Sequence, residues 1–308
     1  MKIWTMAACG AALLATAACG GGGATAADQS GAATAGARPY TLSGTEVWTV
    51  PDPASGRAYD VFVSLPASYA QTPGRRYPVL YVTDADYAFP VIRSIARRVR
   101  DDGKALEDFI IVGLSYAAGD DPMTSRRRDY TPTPNGPRRN AREVHGGAEA
   151  YRVYLRDEVL PFVAGRYRTN EARRILLGHS YGALLGAHVL FTQPDLFSGY
   201  ILGSPSLWYD RRHMLQVEAA YAAAHRDLRA NVFLYIGAYE ALRPGDRRYN
   251  QETDMVADMT LFEQRLRGRG YPGLTIAASV VPEEDHLTVA PSGFTRGLKA
   301  LLPARAGP

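Results

Sequence analysis

The five residues Gly178-His179-Ser180-Tyr181-Gly182 constrain this chain more than any others. An apolar run, Ile175-Leu176-Leu177, comes immediately before them, and the small-residue run Ala183-Leu184-Leu185-Gly186-Ala187 follows. Strand, Gly-x-Ser-x-Gly and helix in that order make a nucleophile elbow, a turn so sharp that its serine is strained and exposed. The two glycines omit β-carbons where backbone segments close in. An ordinary glycine-rich strand-to-helix turn can carry the same five residues. The rest of the chain must therefore supply a sheet, a base and an acid.

Apolar runs of strand length recur along the chain. They are Tyr59–Leu65, Tyr77–Val82, Phe109–Leu114, Ile175–Leu177, Tyr200–Leu202, Val232–Ile236 and Leu274–Val281. Helical spacing appears between them. Tyr151, Leu155, Val159 and Phe162 share a face over 148–167, with Pro161 expected to bend that helix. Met255, Met259, Phe262 and Leu266 share another, and Leu287–Leu302 closes the chain. Strands alternating with helices predict an α/β fold, a mostly parallel sheet covered on both faces, with its site beyond the carboxyl ends of the strands. From about Pro39 onward the length suits one domain.

The first residues predict export. Met1–Ala18 carry one charge, Lys2, and an apolar run too short to span a bilayer. The run ends in Leu14-Ala15-Thr16-Ala17-Ala18-Cys19-Gly20, which resembles a bacterial lipobox with Cys19 as the lipidated residue. Thr16 stands where leucine is usual, so secretion after an Ala-x-Ala-like site is the alternative. The next residues, 19–38, are rich in Gly, Ala, Ser and Thr and read as a flexible tether. A glycine after Cys19 resembles lipoproteins sent to the outer membrane, which places the mature chain in the periplasm of a Gram-negative cell. The only two cysteines, Cys9 and Cys19, belong to this leader, so the folded part has neither disulfide nor thiolate metal site. The net charge of +4 is too small for a nucleic-acid binder. Nothing in the sequence indicates a metal or cofactor, and it is silent on oligomeric state.

In an elbow architecture the catalytic order along the chain is serine, acid, histidine. Among six histidines, His145 precedes the elbow, His179 and His188 lie in the elbow and its helix, and His213 and His225 lie in a polar, helical region. His286 alone sits between the last strand and the last helix, where a general base for Ser180 belongs. His179 is expected to turn away from that base. The acid should follow the strand ending at Ile236-Gly237. Glu240 is the choice, with Asp246 on the same loop as the rival and a serine–histidine pair as a further option. Backbone N–H groups of Tyr181 and of the turn Thr83–Tyr87, taken at Asp86, are expected to form the oxyanion hole. The stretch 116–147 reads as a long loop on the rim, with Arg126, Arg127, Arg128, Arg138, Arg139 and Arg142 forming a wall suited to an acidic substrate.

Several strings then agree in order with a known family. They are Tyr77–Asp86 (YPVLYVTDAD), Ile111–Tyr116, Arg127-Arg128-Asp129-Tyr130-Thr131-Pro132, Gly178–Ala183, Asp195–Tyr200 and Ser204-Pro205-Ser206-Leu207-Trp208. Together they resemble the esterase family of α/β-hydrolases, in its enterochelin esterase and salmochelin hydrolase-like branch, over nearly all of 59–302. The resemblance implies metal-free hydrolysis of carboxylic esters, with Ser180 and His286 catalytic and Trp208 near the site. Relatives often have glycine where Ala85 stands, which bears on the oxyanion donor. Catecholate siderophore esters suit Arg127 and Arg128, because ferric catecholates are anionic. The wider family also includes feruloyl carbohydrate esterases and acyl transferases. A non-catalytic periplasmic binding lipoprotein on the same fold is the reading from another class.

Overall fold

The computed structural model describes residues 39–102, 105–137, 140 and 142–304. The predicted export segment and tether, with Cys9 and Cys19, lie outside these residues, as do Arg138 and Arg139. The strands are β1 Thr45–Asp52, β2 Arg57–Ser64, β3 Tyr77–Val82, β4 Ile110–Ala117, β5 Thr169–His179, β6 Gly199–Gly203, β7 Ala230–Gly237 and β8 Leu274–Val281. They form one sheet in the order β1-β2-β4-β3-β5-β6-β7-β8. β1 and β2 form an antiparallel hairpin, and β2 runs antiparallel to β4. Every pairing from β4 to β8 is parallel. All six residues of β3 are buried, which is why a central parallel strand reads as an unbroken apolar run.

The helices are α1 Ala85–Arg97, α2 Pro122–Tyr130, α3 Ala148–Tyr154, α4 Leu160–Arg166, α5 Tyr181–Thr192, α6 Tyr209–Ala224, α7 Met255–Gly268 and α8 Val289–Leu301. α1 and α8 cover one face of the sheet through Phe89, Ile92, Phe294 and Leu298. The other face packs against α3 to α7, with Leu184, Leu185, Phe191, Met259 and Phe262 in its core. The helix expected over 148–167 contains a π-helical turn at Leu155–Val159, just before Pro161 in the first turn of α4. The chain stays helical from Ala148 through Arg166, and the wider π-turn just before Pro161 accommodates a residue that has no N–H to donate. β1 escapes sequence reading because it is an outer strand with only Val50 and Asp52 buried, so it shows no apolar periodicity.

The stretch 116–147 is not one long loop. Asp121 caps α2, its Oδ1 accepting from the Met123 and Thr124 N–H groups at 3.0 and 3.1 Å, and Pro122 opens the helix. Capping aspartate followed by proline is a start signal present in the sequence. With α2 formed, Arg126, Arg127 and Arg128 point in directions about 100° apart, as 3.6 residues per turn requires.

The parallel pairing brings five strand ends to one edge of the sheet. Thr83 follows β3, Ser180 follows β5, Ser204 follows β6, Glu240 lies three residues past β7, and His286 follows β8. The elbow is closed tightly enough that a β-carbon at residue 178 would run into the Gly182 carbonyl. Gly178→Ala should therefore destabilise the fold by about 1–3 kcal/mol, the usual cost of overpacking. A urea midpoint equal to that of the wild type would show that the turn has room.

Candidate active site

Ser180 sits at φ 59° and ψ −118°, a region a non-glycine residue occupies only under constraint. Its N–H donates to the Gly203 carbonyl at 2.8 Å, tying the elbow to the end of β6. Asp84 and Ser204 also have positive φ, at 54° and 40°. Strain thus gathers at the ends of β3, β5 and β6, around one point. Ser180 Oγ lies 3.5 Å from Ser206 Oγ. Tyr181 is the first residue of α5, so its N–H has no acceptor within the helix and lies at the positive end of the helix dipole.

Glu240 is almost fully buried, at 2 % exposure. Its Oε1 accepts from Ser204 Oγ at 2.6 Å and from the Gly237 N–H at 2.9 Å. Its Oε2 lies 2.7 Å from His286 Nδ1. The carboxylate therefore fixes the proton on Nδ1 and leaves Nε2 free to accept one. Gly237 permits this meeting, because a β-carbon there would strike the Glu284 carbonyl. The Tyr239 N–H donates to that same carbonyl at 2.9 Å, which ties the loops after β7 and β8 together. Asp246 lies elsewhere, with its carboxylate 2.8 Å from Arg248 Nη2. Asp285 holds the start of the final helix by accepting from the Leu287 and Thr288 N–H groups at 2.8 and 2.9 Å.

His179 does not turn away from His286. The two rings are 4.8 Å apart, and His179 Nε2 lies 2.8 Å from the His286 carbonyl oxygen. A carbonyl only accepts, so Nε2 carries the proton and Nδ1 accepts from Tyr235 O–H at 3.3 Å. Burial, reinforced by His286 and Arg126, outweighs the bond to the carbonyl and takes the His179 pKa down to about 3. His179 is thus a neutral clamp on the backbone of His286. Sequence reasoning missed it because a side chain's direction at a strained turn cannot be read from spacing. The other histidines are placed apart from Ser180. His145 lies 3.2 Å from Tyr209 Oη, His188 3.1 Å from Glu149, and His225 stacks on Tyr221 at 4.0 Å.

A cavity of about 570 Å³ opens over Ser180, and Tyr181, His286, Arg126, Arg127 and Trp208 line it. Arg127 faces it while paired with Glu143 at 3.0 Å. Arg128 is a correction to the predicted arginine wall. It points to the far side of α2, where it pairs with Asp120 at 2.6 Å and Asp129 at 2.7 Å. Arg126 takes the position instead, with Nε 2.8 Å from Asp84 Oδ1 and Nη2 3.1 Å from the His179 carbonyl. Asp86, whose backbone N–H was expected to serve the oxyanion hole, lies in the first turn of α1, and its Oδ1 accepts from Ser115 Oγ at 2.5 Å. Thr83, Asp84 and Tyr87 of the Thr83–Tyr87 turn line a cavity that His286 also borders. Ser204 and Ser206 were also missed, although the string Ser204–Trp208 was visible as a unit. Among the described residues, no group of three His, Cys, Asp or Glu side chains is placed to hold a metal ion. No helix among them is long and apolar enough to cross a membrane.

Comparison with known proteins identifies the family and the fold. The family model described as "Putative esterase" matches residues 53–273. The chain is similar to the ferri-bacillibactin esterase BesA of Bacillus subtilis, 27% identical over 271 residues that cover 85% of this chain and 91% of that one. The solved siderophore hydrolase EstB from Aspergillus nidulans superposes with a TM-score of 0.73 at 26% identity, covering 88% of this chain and 100% of that one. An IroE-like serine hydrolase from Shewanella oneidensis superposes with a TM-score of 0.71 at 27% identity, covering 83% and 79%.

The state of His179 has a consequence for stability. The folded protein keeps it neutral down to about pH 3, whereas the unfolded chain protonates it near 6.5. Between those values the unfolded state binds more protons, so stability falls as pH drops through the window. His179→Gln should flatten the dependence of the urea midpoint on pH between 7 and 4. Equal slopes in variant and wild type would contradict a buried neutral His179.

Proposed function

We propose that this chain, which belongs to the Putative esterase family of α/β-hydrolases and is a serine ester hydrolase, works through Ser180, His286 and Glu240 on an exported, siderophore-type ester. The observation that carries the reading is the 2.7 Å contact of Glu240 with His286 Nδ1, with His286 and Ser180 lining one cavity. Ser180 Oγ attacks the ester carbonyl and His286 Nε2 takes its proton. The negative oxygen of the tetrahedral intermediate receives N–H bonds from Tyr181 and from the turn after β3. His286 returns the proton to the leaving alcohol, and the acyl group stays on Ser180. Water then attacks the acyl-enzyme with the same histidine as base, which releases the acid and restores the serine.

The substrate class rests on two supports. Two of the relatives above are named for siderophore esters, the ferri-bacillibactin esterase and the siderophore hydrolase. Arg126, Arg127 and Trp208 offer guanidinium and aromatic contacts for an anionic catecholate, with Glu143 and Glu252 also in the lining. The residues 1–18 serve as the export signal, 19–38 as the tether from a lipidated Cys19, and 39–308 as the catalytic domain. An enzyme held outside the cytoplasm meets siderophores before or during uptake.

Ser180→Ala should lower kcat on p-nitrophenyl acetate by about 10⁶-fold, and Glu240→Gln by a smaller factor of about 10⁴. Circular dichroism should show both variants folded. Undiminished turnover in Ser180→Ala would refute the nucleophile, and a larger loss in Asp246→Asn than in Glu240→Gln would refute the acid. Arg127→Gln should reduce kcat/KM for a ferric catecholate trilactone about 10- to 100-fold relative to the neutral aryl ester, since a charge-assisted hydrogen bond is lost. An equal effect on both substrates would remove Arg127 from recognition.

A further inference from the structure

A second cavity, of about 320 Å³, adjoins the first on the side of α1 and α8. Tyr87, Ala88, Leu177, Leu287, Ala290 and Phe294 give it apolar walls. Met123, Arg126 and His286 line both cavities, so the two meet at the ring of the base. Around this second cavity Leu287 is 78 % exposed, Tyr87 50 % and Met123 43 %. Single exposed apolar side chains are ordinary, but three gathered around one cavity mark a contact surface. Polar groups beside them are engaged with one another. Asp84 Oδ1 accepts from Tyr116 O–H at 2.8 Å and from Arg126 Nε at 2.8 Å. Neither Asp84 Oδ1 nor the His179 ring, held by Tyr235 and the His286 carbonyl, presents an unmet charge to this space.

A tetrahedral carbon on Ser180 Oγ carries two organic limbs that must diverge. The larger cavity has polar walls, with Arg126 and Arg127 beside Glu143 and Glu252, and the smaller has mostly apolar ones. We propose that the smaller cavity receives an uncharged apolar limb of the ester, alkyl or aryl, while the polar remainder lies against Arg126 and Arg127. This rests on Ser180 being the nucleophile. The space is ample, since a dry cavity of about 150 Å³ holds a benzene ring. Leu287, directly after the base, and Tyr87, on the first turn of α1, form the part of the wall most open to solvent. Leu287 and Tyr87 are both exposed, although the Tyr87 ring lies 6.5 Å from buried Phe294.

The test uses two series of neutral esters. One lengthens the acyl chain of p-nitrophenyl esters from acetyl to hexanoyl, and the other lengthens the alcohol of acetate esters from methyl to hexyl and benzyl. The wild type should show kcat/KM rising by up to about 4-fold per methylene in one series until the space fills. A rise with the acyl chain assigns the limb to the acid, and a rise with the alcohol assigns it to the leaving group. In the double variant Tyr87→Ser, Leu287→Ser the preference for the longest over the shortest ester should fall at least 10-fold, mainly through KM. A flat response in both wild-type series, an unchanged preference in the variant, or an equal loss on short and long esters would overturn the subsite. Absence of turnover on every ester, acetate included, would overturn the nucleophile reading instead.

Discussion

Parallel pairing from β4 through β8 is the constraint on which the rest of this protein depends. Parallel strands cannot be joined by hairpins, so each return path crosses a face of the sheet as a helix. Every strand then points its carboxyl end to the same edge. The chemistry collects there without any group having to travel. Ser180, Ser204, Glu240 and His286 are far apart in sequence and adjacent in space for this reason alone.

Glu240 is the place where that edge is locked. One carboxylate takes bonds from the ends of β6 and β7 and from the histidine after β8. It is buried, so these bonds act where water competes little, and losing one would leave a costly unmet acceptor. His179 adds a second lock, since its neutral ring bonds the His286 carbonyl and lies 4.8 Å from the His286 ring. His286 is thus fixed through both its side chain and its backbone. Strained φ angles at Asp84, Ser180 and Ser204 persist because these bonds over-determine them.

Much of this was legible beforehand, and the failures share a cause. The strand runs, the elbow, His286 and Glu240 follow from local composition and chain order. The length of the loop over 116–147 was misjudged because its helix is polar, with only Ser125, Asp129 and Tyr130 buried, so hydrophobic periodicity is silent there. The capping pair Asp121-Pro122 was the available signal. Once that helix is recognised, three consecutive arginines can no longer share a face, and Arg128 falls to the far side.

By itself the sequence determined the α/β architecture, the nucleophile turn, and which histidine and acid stood in line for it. Those features depend on residue type and order, which a chain displays before it folds. Only the tertiary structure decided which arginines reach the cavity, that His179 clamps the base, and that an apolar space opens beside His286. Each of those depends on the direction of a side chain after helices and strands have packed, and direction is set by neighbours that lie distant in sequence.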